Sequence, residues 1–438
     1  MTKQSRLITD KQLMFSVFCF LQASPLFQSL LFSYTAQESW LAIIPAAVGG
    51  LLGLLPIIYL YNKNRGRELS GILRNILGQK AGTVFAYIYL LYFFIRVCAT
   101  VSRFSGFLST NMLPQTPIIV ITGILMISCL MSASRGGENL CGMAFLFAAM
   151  LLFYVIISVP LLTESLEINN LLPVFTLNKG TYTKAVVTAI AEPFANLMIF
   201  LELFDENESR EELTQGYYKK SKLGKALVLG YMLSAGLIIF AVFRDNAVFG
   251  EFSKNVTAIS FQAARLISVG EVLSRLELIY AILFVTTVFF RVSLSLYCLS
   301  KLLANTAERG GSTRFVLPFG MLVWCVSLVL FSSNSEMKEW SYVSMPFYVW
   351  IFELLIPLGL VLICAVKGLM GRNCNATEHL SKLKFNKDGK VLYYGTLIVS
   401  GVLLTVIFFC FFVFNYQIPG PLAPAKWLAE KVVQLFVR

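Results

Sequence analysis

Charge and histidine are what this chain has least of. Only 14% of its 438 residues are charged, and a single histidine, His379, sits beside Glu378 in a basic stretch. Soluble domains carry about 25% charged residues, so a water-facing surface cannot be built from this composition. Histidine is absent from every apolar block, which leaves no imidazole relay at membrane depth. The nine cysteines include no CxxC pair. Seven of them (Cys19, Cys98, Cys129, Cys298, Cys325, Cys364 and Cys410) lie in apolar blocks, where packing rather than disulfide or metal chemistry is the reading. No nucleophile–base pair, metal-ligand cluster or cofactor motif occurs, so an enzyme is disfavoured. What the chain has is 57% hydrophobic residues, with 37 Phe, in long uncharged runs. It reads as a polytopic membrane protein, and soluble enzymes and nucleic-acid-binding domains are excluded.

A helix needs about 20 apolar residues to cross the hydrocarbon core. Eleven blocks qualify: 13–34, 41–60, 83–103, 117–133, 142–162, 185–203, 226–243, 277–299, 315–332, 346–366 and 391–414. Lys and Arg bias in the connections sets orientation. Of the 36, 23 fall on the side of the N-terminal tail, ten on the other, and Arg96, Arg103 and Arg291 lie inside spans. The N-terminus is therefore expected in the cytoplasm and the C-terminus outside. Much of the net charge of +12 is a topological signal, though a basic face also attracts anionic lipid.

Proline in a helix removes a hydrogen bond and frees a carbonyl, which a membrane tolerates mainly where backbone is buried or lines a cavity. Span one carries Gln22-Ala23-Ser24-Pro25 at its centre, and span six carries Glu192-Pro193-Phe194-Ala195-Asn196. These spans open two five-span halves, 13–162 and 185–366, which must run through the bilayer in opposite senses. Broken segments at matching positions of inverted repeats point to a midplane binding site. Two ordinary proline kinks are the plain alternative.

An ionisable side chain at a helix centre costs about 2.5–3.5 kcal/mol on insertion scales. Tyr89, Tyr92, Arg96, Thr100 and Arg103 share one face of span three. Glu277, Tyr280, Thr287, Arg291 and Ser295 form a stripe on span eight, and span ten adds Glu353. Arg96 lies about 20 Å beyond the cytoplasmic end at 1.5 Å per residue. Arg103 and Glu277 are shallow enough to snorkel to the interface. Pairing of Arg96 with Glu192 or Glu353 would be a structural role. The functional alternative makes Gln22, Ser24, Arg96, Thr100, Glu192, Asn196, Thr287 and Arg291 the lining of a cavity for a charged or zwitterionic small molecule. Burial of Glu192 would then offer a route to proton coupling.

Several strings carry a resemblance: Ile8-Thr9-Asp10-Lys11-Gln12, Ala36-Gln37-Glu38-Ser39-Trp40-Leu41, Leu113-Pro114-Gln115-Thr116-Pro117, Asn169-Asn170-Leu171-Leu172-Pro173-Val174, Pro193-Phe194 and Arg275-Leu276-Glu277. Over roughly residues 7–366 the chain resembles the B subunits of spore germinant receptors (endospore germination permeases), within the amino acid–polyamine–organocation superfamily. The resemblance implies a ten-helix inverted-repeat transporter fold and a role in sensing small nutrients, commonly amino acids, in the inner spore membrane. It also implies two partners, an A subunit with membrane and soluble parts and a lipoprotein C subunit. The chain departs from the pattern in three places. Break one has no glycine to present bare backbone to a carboxylate, Ala195 and Asn196 follow the Pro-Phe of span six, and 391–414 is an eleventh span.

The chain therefore divides into a ten-span core (1–366), a basic cytoplasmic loop (367–390) and an extra span with an amphipathic tail (391–438). That tail, Ala425 to Phe436, and the outer stretch 254–269 have apolar residues at helical spacing, suited to lipid, to partner subunits or, for the loop, to capping the cavity. Two other functions fit the same cavity or fold: a proton- or sodium-coupled amino acid permease, and a non-transporting scaffold for a receptor complex. The odd span count is open to test. A reporter fused after residue 438 should read outside the cytoplasm, and a cytoplasmic signal would refute eleven spans.

Overall fold

The computed structural model describes residues 8–24, 28–64, 67–203, 223–266, 276–307, 312–331, 333–342 and 344–369. The expected eleventh span, the amphipathic tail and nearly all of the basic loop lie outside them. All regular elements among the described residues are helical. The first is α1 (Asp10–Gln22), and its start explains the first family-like string. Thr9 Oγ1 accepts the Gln12 N–H at 3.3 Å while Gln12 Oε1 accepts the Thr9 N–H at 2.9 Å, a reciprocal cap for two otherwise unpaired donors.

The chain continues as α2 (Gln28–Thr35), α3 (Ser39–Lys63), a short amphipathic α4 (Leu69–Leu77), α5 (Gln79–Asn111), α6 (Ile118–Ala133) and α7 (Gly137–Leu161). The second half has α8 (Lys179–Ala189), which passes through a wide turn and a 3-10 segment (Met198–Leu203), then α9 (Leu223–Phe249), α10 (Ile259–Leu266) and α11 (Leu276–Thr306). It closes with α12 (Val316–Val329), α13 (Asn334–Tyr342), α14 (Ser344–Val349) and α15 (Ile356–Leu369), the last two joined by a π-turn at Trp350–Leu355.

Among the described residues, seven helical runs are long and apolar enough to cross a membrane, and Ile118–Ala133 and Thr313–Val329 are shorter apolar helices. Large side chains face outward along them, with Ile124, Phe153 and Ile156 about two-thirds exposed. Water-soluble monomers rarely present such continuous apolar surface. The chain is a multi-pass integral membrane protein. Two boundaries differ from expectation. The helix of span three runs over 33 residues, about 50 Å at the α-helical rise. Span seven continues through Arg244 and Asp245 to Phe249, so this adjacent charged pair is a buried helical pair rather than part of a loop.

The end of the bundle remote from Thr9 is knitted by bonds in which two of the other family-like strings take part. Glu38 accepts both the backbone N–H (2.7 Å) and the hydroxyl (2.5 Å) of Thr176. Asn170 donates to the Ala247 carbonyl at 3.0 Å, and Asn246 donates to the Gln37 carbonyl. These bonds join the turn before span two, the segment before span six and the end of α9. The stretch around α10 also departs from a lipid-surface helix, because Ile259, Phe261, Ala263 and Ala264 are buried and Phe261 packs edge-on against Phe107.

Span two and broken span six approach backbone to side chain at Gly50. A Cβ there would lie 2.5 Å from both Phe194 Cβ and the Tyr231 hydroxyl. Overpacking of this kind typically costs 1–3 kcal/mol. Gly50→Ala should therefore lower the melting temperature of the detergent-solubilised protein, whereas Gly359→Ala, with open space around its Cβ, should leave it unchanged.

Candidate functional site

Both expected breaks are present. After Gln22 the chain leaves the helix at Ala23 and Ser24, and helix resumes at Gln28. In span six, Pro193 supplies no N–H and Glu192 adopts extended backbone (φ −148°, ψ 123°) inside the wide turn Ile190–Phe194. Ala195 is extended too, and regular structure returns at Met198. Span ten holds this restart. Glu353 Oε2 accepts the Met198 N–H at 3.0 Å, Glu353 Oε1 accepts from the Tyr92 hydroxyl at 3.4 Å, and the Trp350 indole donates to the Val187 carbonyl at 3.2 Å. A carboxylate at the start of a helix satisfies donors that have no partner within the helix.

The breaks meet at one carboxylate. Arg103 grips Glu192 with a two-pronged ion pair, Nη1 to Oε2 and Nη2 to Oε1, both 3.0 Å. Such fork-to-fork pairs are strong and fix orientation. Ser24 Oγ, from break one, donates to Glu192 Oε1 at 3.3 Å and accepts from Arg291 Nη1 at 2.5 Å. Arg291 is itself 3.7 Å from Glu192 Oε1, with its guanidinium 5.0 Å above the Phe20 ring. Arg96 stands beside this group and donates through Nη2 to Asn196 Oδ1. All six of these polar residues are buried.

The expected residues separate by role. Ser24, Glu192 and Arg291 form the junction, and Arg96 with Asn196 flanks it. Thr100 bonds the Arg96 carbonyl at 2.8 Å and lines a small void of about 20 Å³ with Ser24, Arg103 and Glu192. Thr287 bonds the Phe284 carbonyl at 2.9 Å, and Gln22 donates to the carbonyl and hydroxyl of Ser234 at 3.1 and 3.0 Å. Gln22 thus ties α1 to α9, although its side chain still borders the larger cavity.

Two expectations are corrected. Arg103 does not snorkel: it is Glu192's principal partner, because α5 carries it into the bundle on the same face as Arg96. Arg96 pairs with neither acid directly, since Arg103 already takes both Glu192 oxygens. Glu277 does lie half-buried in the first turn of α11.

The larger cavity, about 80 Å³, adjoins the junction at Ser24 and Phe284. It extends between α1, α7, α9 and α11 to Arg244 and Ser260, with α10 closing the far end. Here Arg244 bonds Asp245 Oδ1 through Nε (2.9 Å) and Nη2 (2.7 Å), and Ser260 donates to Gln28 at 2.6 Å and bonds Asp245. Sequence reasoning missed this end of the cavity. The signal available was the charged doublet Arg244-Asp245 directly after an apolar run.

Residues 7–336 match the family model described as spore germination protein. The chain belongs to that family. Spore germination protein KB of Bacillus subtilis (strain 168) is 24% identical over 341 residues, covering 76% of this chain and 88% of the relative. Spore germination protein XB of Bacillus anthracis is 24% identical over 305 residues, covering 68% and 81%. Among solved structures, the chain is similar to a substrate-bound, outward-open Na+-coupled sialic acid symporter (TM-score 0.54, 12% identity, 91% of this chain and 90% of that one). It is also similar to MhsT in complex with L-phenylalanine (TM-score 0.51, 12% identity, 93% and 99%). The fold is transporter-like.

Removing one partner of a buried ion pair typically costs 3–5 kcal/mol, because the other charge is stranded. Glu192→Ala should strand Arg103 and Arg291 and sharply lower the melting temperature in detergent. Glu192→Gln/Arg103→Gln should recover much of that loss. Equal melting of wild type and Glu192→Ala would show that the pair holds nothing together.

Proposed function

We propose that this chain is the membrane subunit of a spore germinant receptor. It binds a small nutrient, an amino acid or a molecule of similar size, between the two breaks. The observation that carries the reading is the junction itself: Ser24 of span one, Glu192 of span six and Arg291 of span eight share one set of hydrogen bonds beside a cavity. A ligand competing for those bonds moves two broken helices at once, which converts binding into a change of shape. Membership of the spore germination family supports the germinant role, and a fold similar to that of MhsT with L-phenylalanine supports an amino-acid-sized ligand. The reading includes an inner spore membrane location, a cytoplasmic N-terminus, halves 13–162 and 185–366 related as inverted repeats, and signalling through A and C subunits.

A coupled transporter is the second reading, favoured by the similarity to a Na+-coupled symporter. The two separate by experiment. Spores carrying Ser24→Ala or Arg291→Lys at normal protein level should need about tenfold more nutrient, as expected for loss of roughly 1.4 kcal/mol of binding. An unaltered dose–response in both would sink the proposed site. Purified protein in liposomes should bind labelled nutrient without accumulating it, whereas ion-gradient-driven accumulation would make transporter the right description.

A further inference from the structure

We infer that the ligand carries a carboxylate and that Arg96 and Asn196 hold it. The inference rests on the binding reading above and names the chemistry of that same site.

Three observations lead there. The first is charge. Arg96, Arg103 and Arg291 surround the breaks and are all buried, while Glu192 interacts electrostatically with all three and Glu353 with Arg96. Three guanidinium groups against two carboxyls leave at least one positive charge uncompensated in a region that solvates charge poorly. The same surplus works against a bound cation.

The second is how the two acids are used. Glu192 is held by both prongs of Arg103 and by Ser24. Glu353 is held by the Met198 N–H and the Tyr92 hydroxyl. Arg96 is therefore left with a neutral partner, the Asn196 carbonyl oxygen.

The third is what remains unpaired. Arg96 Nη1 and Asn196 Nδ2 are buried donors with no hydrogen-bond partner among the described residues. Buried polar groups are nearly always bonded, and an exception calls for an explanation. These two donors belong to side chains already bonded to each other, Arg96 through Nη2 and Asn196 through Oδ1. A carboxylate offers two acceptor oxygens and the missing negative charge. A neutral carbonyl or a water would satisfy donors and leave the charge unanswered.

The test uses full-length protein in lipid nanodiscs, titrated calorimetrically with the twenty standard amino acids, the amide of every one that binds, D-glucose and inosine. At least one amino acid should bind, and its amide should bind at least roughly 30-fold more weakly, the loss expected when a buried charged partner is removed. Arg96→Gln and Asn196→Asp should each weaken the acid by a similar factor while changing the amide less than about threefold. A merely structural role would weaken both together. The acid–amide comparison in the unmodified protein stands even where a variant does not fold. An amide binding as well as its acid, or binding of D-glucose or inosine alone, overturns the carboxylate and leaves the proposed function standing. Binding of no probe overturns both.

Discussion

The Glu192 carboxylate sits where helix is interrupted, and the arrangement around it follows from keeping one negative charge satisfied away from water. An unpaired buried carboxylate is expensive, so two oxygens must find several donors. Arg103 supplies two, Ser24 a third, and Arg291 adds charge. Those donors come from spans one, three and eight, which must therefore converge on span six. The arginines carry the reciprocal requirement, since each would be stranded without the acid. Four membrane helices are thus held at one depth by a single polar junction, where apolar packing between helices in lipid is weakly directional.

Span ten supplies the complementary constraint. A helix that stops at Glu192 and restarts at Met198 leaves backbone donors exposed at the restart, and lipid offers nothing to bond them. Glu353 takes one and Trp350 bonds the Val187 carbonyl upstream. The π-turn at Trp350–Leu355 is the local distortion that accompanies this arrangement. Tyr92 stacks on Phe352 with ring centroids 4.4 Å apart, so span three buttresses span ten as it positions Arg96 and Arg103.

Much of the fold was legible in the letters because bilayer physics is one-dimensional: apolar length locates crossings, and proline among polar residues locates breaks. The site was legible to the same depth and no further. The shared face of Arg96, Thr100 and Arg103 was plain from helical spacing, yet partner choice was not. Hydropathy ends span three at Arg103 and so makes it shallow, whereas α5 runs eight residues past it. The same limit places Arg244-Asp245 in a loop, since a span boundary drawn on hydropathy stops where charge begins. Gln22 illustrates the other limit. Its place at a break was evident, but its reach to Ser234 in α9 depends on how two helices separated by more than 200 residues pack.

The polar knitting at the distal end has a mechanical meaning. Helix α2 is short, only eight residues, and is clamped at its start by two bonds from the α10 region. Ser29 Oγ accepts the Ala258 N–H at 3.0 Å, and Gln28 accepts from Ser260. Its other end runs into the turn whose Glu38 grips Thr176. Such a half-helix is a strut with both ends pinned rather than a freely swinging gate. With both ends bonded, α2 cannot change its tilt without breaking its bonds to the α10 region or straining the turn bonded to the segment ahead of span six.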